Sequence, residues 1–434
     1  MALSTTSASE SMQQKQSAQQ SNKPKQPQHK HDRLITRDMA LVMLATFCFM
    51  SSNMLANPIV AGYAESLGAS GMLMGVVAGS MSFISLFCRP IAGNLSDKTS
   101  KRTLVAVGTV LYFAAGLLYY FANSPTMLIM ARVINGVGFA CCSVCLATWM
   151  SLLLPIRHMG AGMGLYGTMN ALAMAVGPAL GIRAQKYIGY RLTFLSSLIL
   201  AAIMLIATLM VKNGGQPVRK KQTSTTENPS AAVDIDGSAG ATKKHRFSIR
   251  SILEPRVVPL SLTFMMFAIA YFANQSFIMN YIEARHLPVS ADLFFMFYAV
   301  ALLVLRLGLR DLFDSKGFRF WLTVCSLGML AMLTCMTFLF NDWMLLLAAI
   351  FTAIGYGLMS SVTQAQAVVI AGRERSGIAN STYYAGIDLG MSVGPFVGGL
   401  VYGRLSAVWF YPVFMLTMPV AWLIYLLCVR RVSR

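Results

Sequence analysis

Apolar residues in this chain come in runs of about 20, the length of helix that crosses a hydrocarbon core of roughly 30 Å. Twelve such runs are legible, near 38–60, 72–93, 103–122, 126–150, 161–182 and 192–211, then 256–282, 291–312, 320–339, 343–370, 378–402 and 407–429. Two polar stretches punctuate them. Residues 1–36 are rich in Ser, Gln and Lys and read as a disordered basic cytoplasmic tail. A linker at 212–251 divides the spans into a six-helix bundle at 37–211 and a second at 252–434 that ends in a short cytoplasmic tail. The expected fold is an all-α integral membrane protein of twelve transmembrane helices.

Two of the runs contain a pattern that a helix should resist. "AVGPALG" at 175–181 and "SVGPFVGG" at 392–399 each place Gly-Pro inside an apolar stretch. An interior proline costs about 3 kcal/mol and a glycine roughly 1 more. Pro178 and Pro395 are 395 − 178 = 217 residues apart, and Arg89/Arg306, Asp97/Asp314, Asn57/Asn274, Gly138/Gly355 and Gly160/Gly377 keep the same offset. The halves are therefore two copies of one six-helix unit. Six is even, so both copies run in the same orientation, related by a pseudo-twofold axis along the membrane normal. Gly386, Gly390, Gly394 and Gly398 recur every fourth residue, and Ala173, Gly177 and Gly181 form the related stripe. Small residues at this spacing let helices approach closely. Pure packing and a bend at a contact that opens and closes both fit, and the second makes Gly177, Pro178, Gly181, Gly394 and Pro395 gate candidates.

Composition agrees with the membrane and removes other classes. The chain is 56% hydrophobic and 12% charged, about half the charge of a soluble domain. Its net charge of +19 does not indicate nucleic acid, because the basic residues gather in alternate loops. Lys98, Lys101, Arg102, Arg157, Lys212, Lys316, Arg319, Arg373 and Arg430 all fall on one side, which the positive-inside rule makes cytoplasmic. Both termini then lie inside, and the loop bearing Arg183, Lys186 and Arg191 is the exception. The cysteines of "CCSVC", Cys141 to Cys145, read as small packing residues. No histidine falls within a span, so no metal or other cofactor is expected. The expected partners are a small-molecule substrate, protons and the lipid bilayer, with the chain monomeric.

Two loops and spans carry polar chemistry. In "GNLSDKTSKR", Gly93 would permit close approach at the end of the second span, and Asp97 would accept hydrogen bonds from the start of the eleventh. In "ARVINGVG", Arg132 lies some 10 Å into the membrane at 1.5 Å per residue. It must face protein or water, or else snorkel outward. At these residues the chain resembles the major facilitator superfamily. Gly93, Asp97, Lys98, Lys101 and Arg102 match that family's loop signature, with Ser100 replacing a usual glycine. Arg132 and Gly136 match its span-four signature, and Gly177, Pro178 and Gly181 its span-five signature, with Ala173 replacing the first glycine. The resemblance implies a secondary transporter, and the last motif implies drug:proton antiport, that is, proton-coupled efflux of small lipophilic or amphipathic compounds across the cell membrane. An uptake carrier or dedicated exporter of one polar metabolite is the alternative, and a non-transporting receptor or scaffold a remoter one.

Transporters of this architecture bind substrate near the midplane between the halves. The candidates there are Asn53, Asn57, Tyr166, Asn170, Tyr271, Asn274, Gln275, Gln364, Tyr383 and Tyr384, with the repeat-related Asn57 and Asn274 foremost. For proton coupling, Arg132 and Asp388 stand out. Asp388 lies about 15 Å from the cytoplasmic end of the eleventh span and about 200° from its glycine stripe. A charge is costly to hold there, so Asp388 either exchanges protons or is fixed by a partner.

Overall fold

The computed structural model describes residues 36–154, 159–216, 253–309, 312, 316–372 and 375–432. The expected tail, most of the linker and Asp314 lie outside them, as does the side chain of Asp97. The described chain is helical from end to end: α1 (Arg37–Ser66), α2 (Gly71–Lys98), α3 (Lys101–Phe121), α4 (Pro125–Leu153) and α5 (Met159–Met210), then α6 (Val258–Ala284), α7 (Ala291–Gly308) and α8 (Phe318–Thr337). They are followed by α9 (Asp342–Ala371), α10 (Ser376–Arg404) and α11, whose apolar stretch is Ala407–Cys428. In lipid every backbone N–H and C=O must be satisfied within the segment, and the helix does this alone. Among the described residues, ten helices are long and apolar enough to cross a membrane. Large apolar side chains such as Phe87, Ile199, Val304, Leu327 and Leu427 stand exposed along them. In water so many would drive aggregation; in a bilayer they face lipid.

Local chemistry sets the ends and breaks. Ser124 and Asn341 cap α4 and α9, their side chains accepting from the N–H of Met127 at 3.4 Å and of Met344 at 3.0 Å. The fifth and sixth apolar runs form two helices, as expected, and these meet at a kink at Gly189. That residue has φ 76° and ψ 173°, open to glycine but hardly to any residue with a Cβ. The chain turns at that residue, so a kink joins the two helices where the sequence suggests a longer loop. Within α9, Ala353–Leu358 forms a π turn, an i→i+5 widening frequent at functional sites.

The glycine stripes pack as small-residue faces should. Cβ atoms added at Gly177 and Gly181 would collide with Met54 and Leu55 of α1; at Gly390 and Gly394 they would collide with Ala268 and Ile269 of α6. A further stripe, Gly71, Gly75 and Gly79, opens α2. A Cβ at Gly75 would stand 2.6 Å from the Pro395 carbonyl oxygen, and one at Gly79 2.5 Å from that of Ser392. Since Gly71 lies against Gly403, α2 and α10 run antiparallel, backbone on backbone, at this end. Near the other end of α2 the close approach expected at Gly93 is absent among the described residues, with nothing there within 4 Å of an added Cβ. The reason is that α2 spends its tight contact on Gly71–Gly79, where the small residues of both helices coincide.

Candidate functional site

At the unpacked end of the α2–α10 seam lies the ion pair that organises the site. Arg89 Nη2 donates to Asp388 Oδ1 at 3.0 Å, and Nε faces Oδ2. The pairing joins residues 299 apart in the chain. The Asp388 side chain is 2% exposed and that of Arg89 20%. The guanidinium is also held between two rings, 5.5 Å from Phe139 of α4 and 5.8 Å from Tyr384 of α10. Each face-on contact adds attraction for a cation. Of the two fates open to Asp388 in the sequence, the structure places a partner on it, one still partly reachable from outside.

Polar side chains from both halves surround the pair. Gln364 Nε2 donates to Asn380 Oδ1 at 3.2 Å and to Tyr384 Oη at 3.5 Å. Tyr166 of α5 lies within electrostatic reach of Arg89 and Tyr384, and Asn170 donates to its carbonyl at 3.1 Å. Tyr383 Oη donates to the Ser360 carbonyl at 2.9 Å. A stack runs on from there: Tyr383 to Phe264 (5.4 Å), Phe264 to Tyr356 (5.5 Å) and Tyr356 to Tyr271 (4.0 Å, planes 1° apart). The π turn in α9 carries Tyr356 into that stack.

Arg132, Asn57 and Asn274 have partners of their own. Arg132 is 1% exposed. Its guanidinium donates to Asn57 Oδ1 from both Nη atoms at 3.2 Å, and to the carbonyls of Val77 at 3.2 Å and Ala78 at 2.5 Å. The residue thus ties α4 to α1 and α2, with no carboxylate beside it among the described residues. Asn274 accepts from Tyr411 Oη at 2.8 Å. Each repeat-related asparagine thus accepts an interhelical hydrogen bond, and Asn274 Nδ2 is buried without a partner. Asn53, fully buried on α1, has neither amide atom paired, and Gln275 Nε2 reaches only the Met54 sulfur at 3.9 Å.

The basic loop after α2 also has work close at hand. Ser100 Oγ donates to the Gly214 carbonyl at 2.7 Å, the Lys101 N–H to that of Gly215 at 3.1 Å, and the Arg102 guanidinium to that of Val211. Lys101 is buried and Lys98 exposed. The loop thus fastens the segment that leaves α5. At the Gly71 end, Glu65 accepts from Asn280 and, at 3.3 Å, from Tyr402 Oη, joining α1 to α6 and α10.

Arg89, Asn380, Phe139 and the Gly71–Gly79 stripe were not singled out by sequence reasoning. Arg89 did stand in the repeat register as a charge within an apolar run, and the four-residue glycine spacing was present.

Comparison with known proteins places this architecture. The Major Facilitator Superfamily model matches residues 42–341 and 316–434, and the chain belongs to that family. It is similar to an uncharacterized MFS-type transporter of Methanocaldococcus jannaschii, 22% identical over 380 residues, 86% of this chain and 92% of the relative. An SPX domain-containing membrane protein of Arabidopsis thaliana is 33% identical over 169 residues, 38% of this chain and 24% of that one. Among solved structures, a nucleoside transporter superposes with TM-score 0.71 at 12% identity, covering 91% of this chain and all of the other. A POT family transporter bound to a thioalcohol-conjugated peptide also gives 0.71 at 12%, covering 92% and 97%. The protein is a multi-pass membrane transporter of the MFS type.

Proposed function

We propose that this chain is a secondary active transporter working by alternating access, and that it couples proton entry to efflux of small amphipathic compounds. The observation that carries the reading is the Arg89–Asp388 pair, which spans the α2–α10 seam with one partner still reachable. A proton on Asp388 releases the pair, and release of the pair loosens the seam. In this reading the two arms of α5 cross separately and α7 crosses once, giving twelve spans in two six-helix bundles, 37–211 and 252–434. Both termini are cytoplasmic, the membrane is the cell membrane and the unit is a monomer. The packed Gly71 end then faces outward and the Gly93 end inward, an inward-facing conformation.

The test is transport in proteoliposomes under an imposed pH gradient, over a compound panel, for the wild type and Asp388→Asn. Gradient-driven flux should vanish in the variant while substrate exchange without a gradient survives. A variant that pumps with wild-type pH dependence ends the assignment. A second reading, a carrier dedicated to one polar metabolite, draws on the Gln364–Asn380–Tyr384 cluster. Flux confined to a single compound of the panel would select it.

A further inference from the structure

The 217-residue register assigns Arg89 a counterpart, Arg306 on α7 (306 − 89 = 217). It also assigns Asp388 a counterpart on α5, residue 171 (388 − 217 = 171), which is alanine. In the structure α7 packs on α5 as α2 packs on α10. The pair that holds one seam is therefore half missing from the other. Arg306 has a buried Nε without a hydrogen-bond partner, and no ion pair to it occurs among the described residues. Arginine cannot shed its proton to escape the cost of this position.

Its surroundings are aromatic and hydroxylic. Arg306 lies within electrostatic reach of Tyr298, Tyr356 and Tyr383. Tyr356 is the residue carried by the π turn, and Tyr383 adjoins Tyr384, whose ring covers Arg89. Two arginines and one carboxylate thus border one run of tyrosines. Among the described residues the site holds one more positive charge than negative, and Arg306 is half-buried with its Nε out of reach of water.

We propose that the transported compound is an organic anion, bearing a carboxylate or phosphate, whose charged group pairs with Arg306 while its apolar body lies against the tyrosines of α7, α9 and α10. The anion supplies the charge that Ala171 does not. This rests on the transporter reading above but not on its proton coupling or direction.

The test is equilibrium binding, which needs neither a gradient nor turnover. The full chain in nanodiscs of neutral phosphatidylcholine is unfolded thermally with benzoate, phenyl phosphate, benzylamine or benzyl alcohol. The two anions should raise the unfolding temperature by about 2 °C or more near saturation, and benzylamine and benzyl alcohol should not. Arg306→Gln should abolish the shift and Arg306→Lys keep part of it. Should Arg306→Gln fail to fold, Arg306→Lys must still weaken the anion response. Absence of a shift with either anion, an equal shift with benzylamine, or a shift only when anionic lipid replaces phosphatidylcholine overturns the proposal. Loss of pH-driven flux in liposomes with anion binding intact would instead count against the coupling reading alone.

Discussion

Arg89 and Asp388 face each other from antiparallel helices, and they are buried to different depths, the carboxylate side chain 2% exposed and the guanidinium 20%. Removing the cation strands a buried charge, whereas removing the charge of the acid leaves a cation that can still reach water. Arg89→Ala should therefore lower stability by about 3 kcal/mol, and Asp388→Asn by less than half as much. Thermal unfolding in nanodiscs decides this; equal losses would contradict the difference in burial.

Gly75 and Gly93 sit on the same helix but should respond oppositely to a larger side chain. Backbone oxygen cannot yield, so Gly75→Leu forbids the α2–α10 approach at the Gly71 end. Spin-label distances across that seam should lengthen, and flux should fall at least about tenfold, the equivalent of roughly 1.4 kcal/mol. Gly93→Ala meets open space here and gains about 1 kcal/mol of helix propensity. It should leave the spin-label distances of this conformation unchanged.

Arg132 binds α1 and α2 through three separate nitrogens. Lysine offers one nitrogen, so Arg132→Lys leaves buried acceptors unpaired at a cost of about 2 kcal/mol. The expected signature is a lower unfolding temperature with an unchanged pH profile of transport. A displaced pH profile in a stable variant would return Arg132 to the proton pathway.

Glu65 draws Asn280 and Tyr402 together at the rim of the Gly71 end. Exposed charge-assisted contacts are worth about 1 kcal/mol or less. Glu65→Gln should raise labelling of a cysteine placed at Ala69 by roughly fivefold at most, and gradient-driven flux should persist. Loss of that flux would move coupling from Asp388 to Glu65.

The residues show what a sequence can and cannot carry. Helices over the apolar runs were legible because lipid leaves the backbone no other way to satisfy itself. Gly-Pro and the 217-residue register were legible because they concern spacing along one chain. The Arg89–Asp388 pair was not, because it depends on which two distant helices meet and in what antiparallel register. Gly189 looked like part of a loop, since nothing in composition distinguishes a one-residue break from a short connection. Asn57 and Asn274, the foremost substrate candidates, also accept from Arg132 and Tyr411, contacts between helices that spacing along one chain does not reveal.

The same ion pair lies inside the electric field of any energised membrane. As a pair it is a dipole and carries no net charge across that field. Were a proton to neutralise Asp388, Arg89 would become a monopole, and a unit charge crossing the full potential exchanges about 2.3 kcal/mol per 100 mV. Whatever moves Arg89 while it stands alone is thus driven or opposed by voltage, and an anion arriving beside it would switch that sensitivity off.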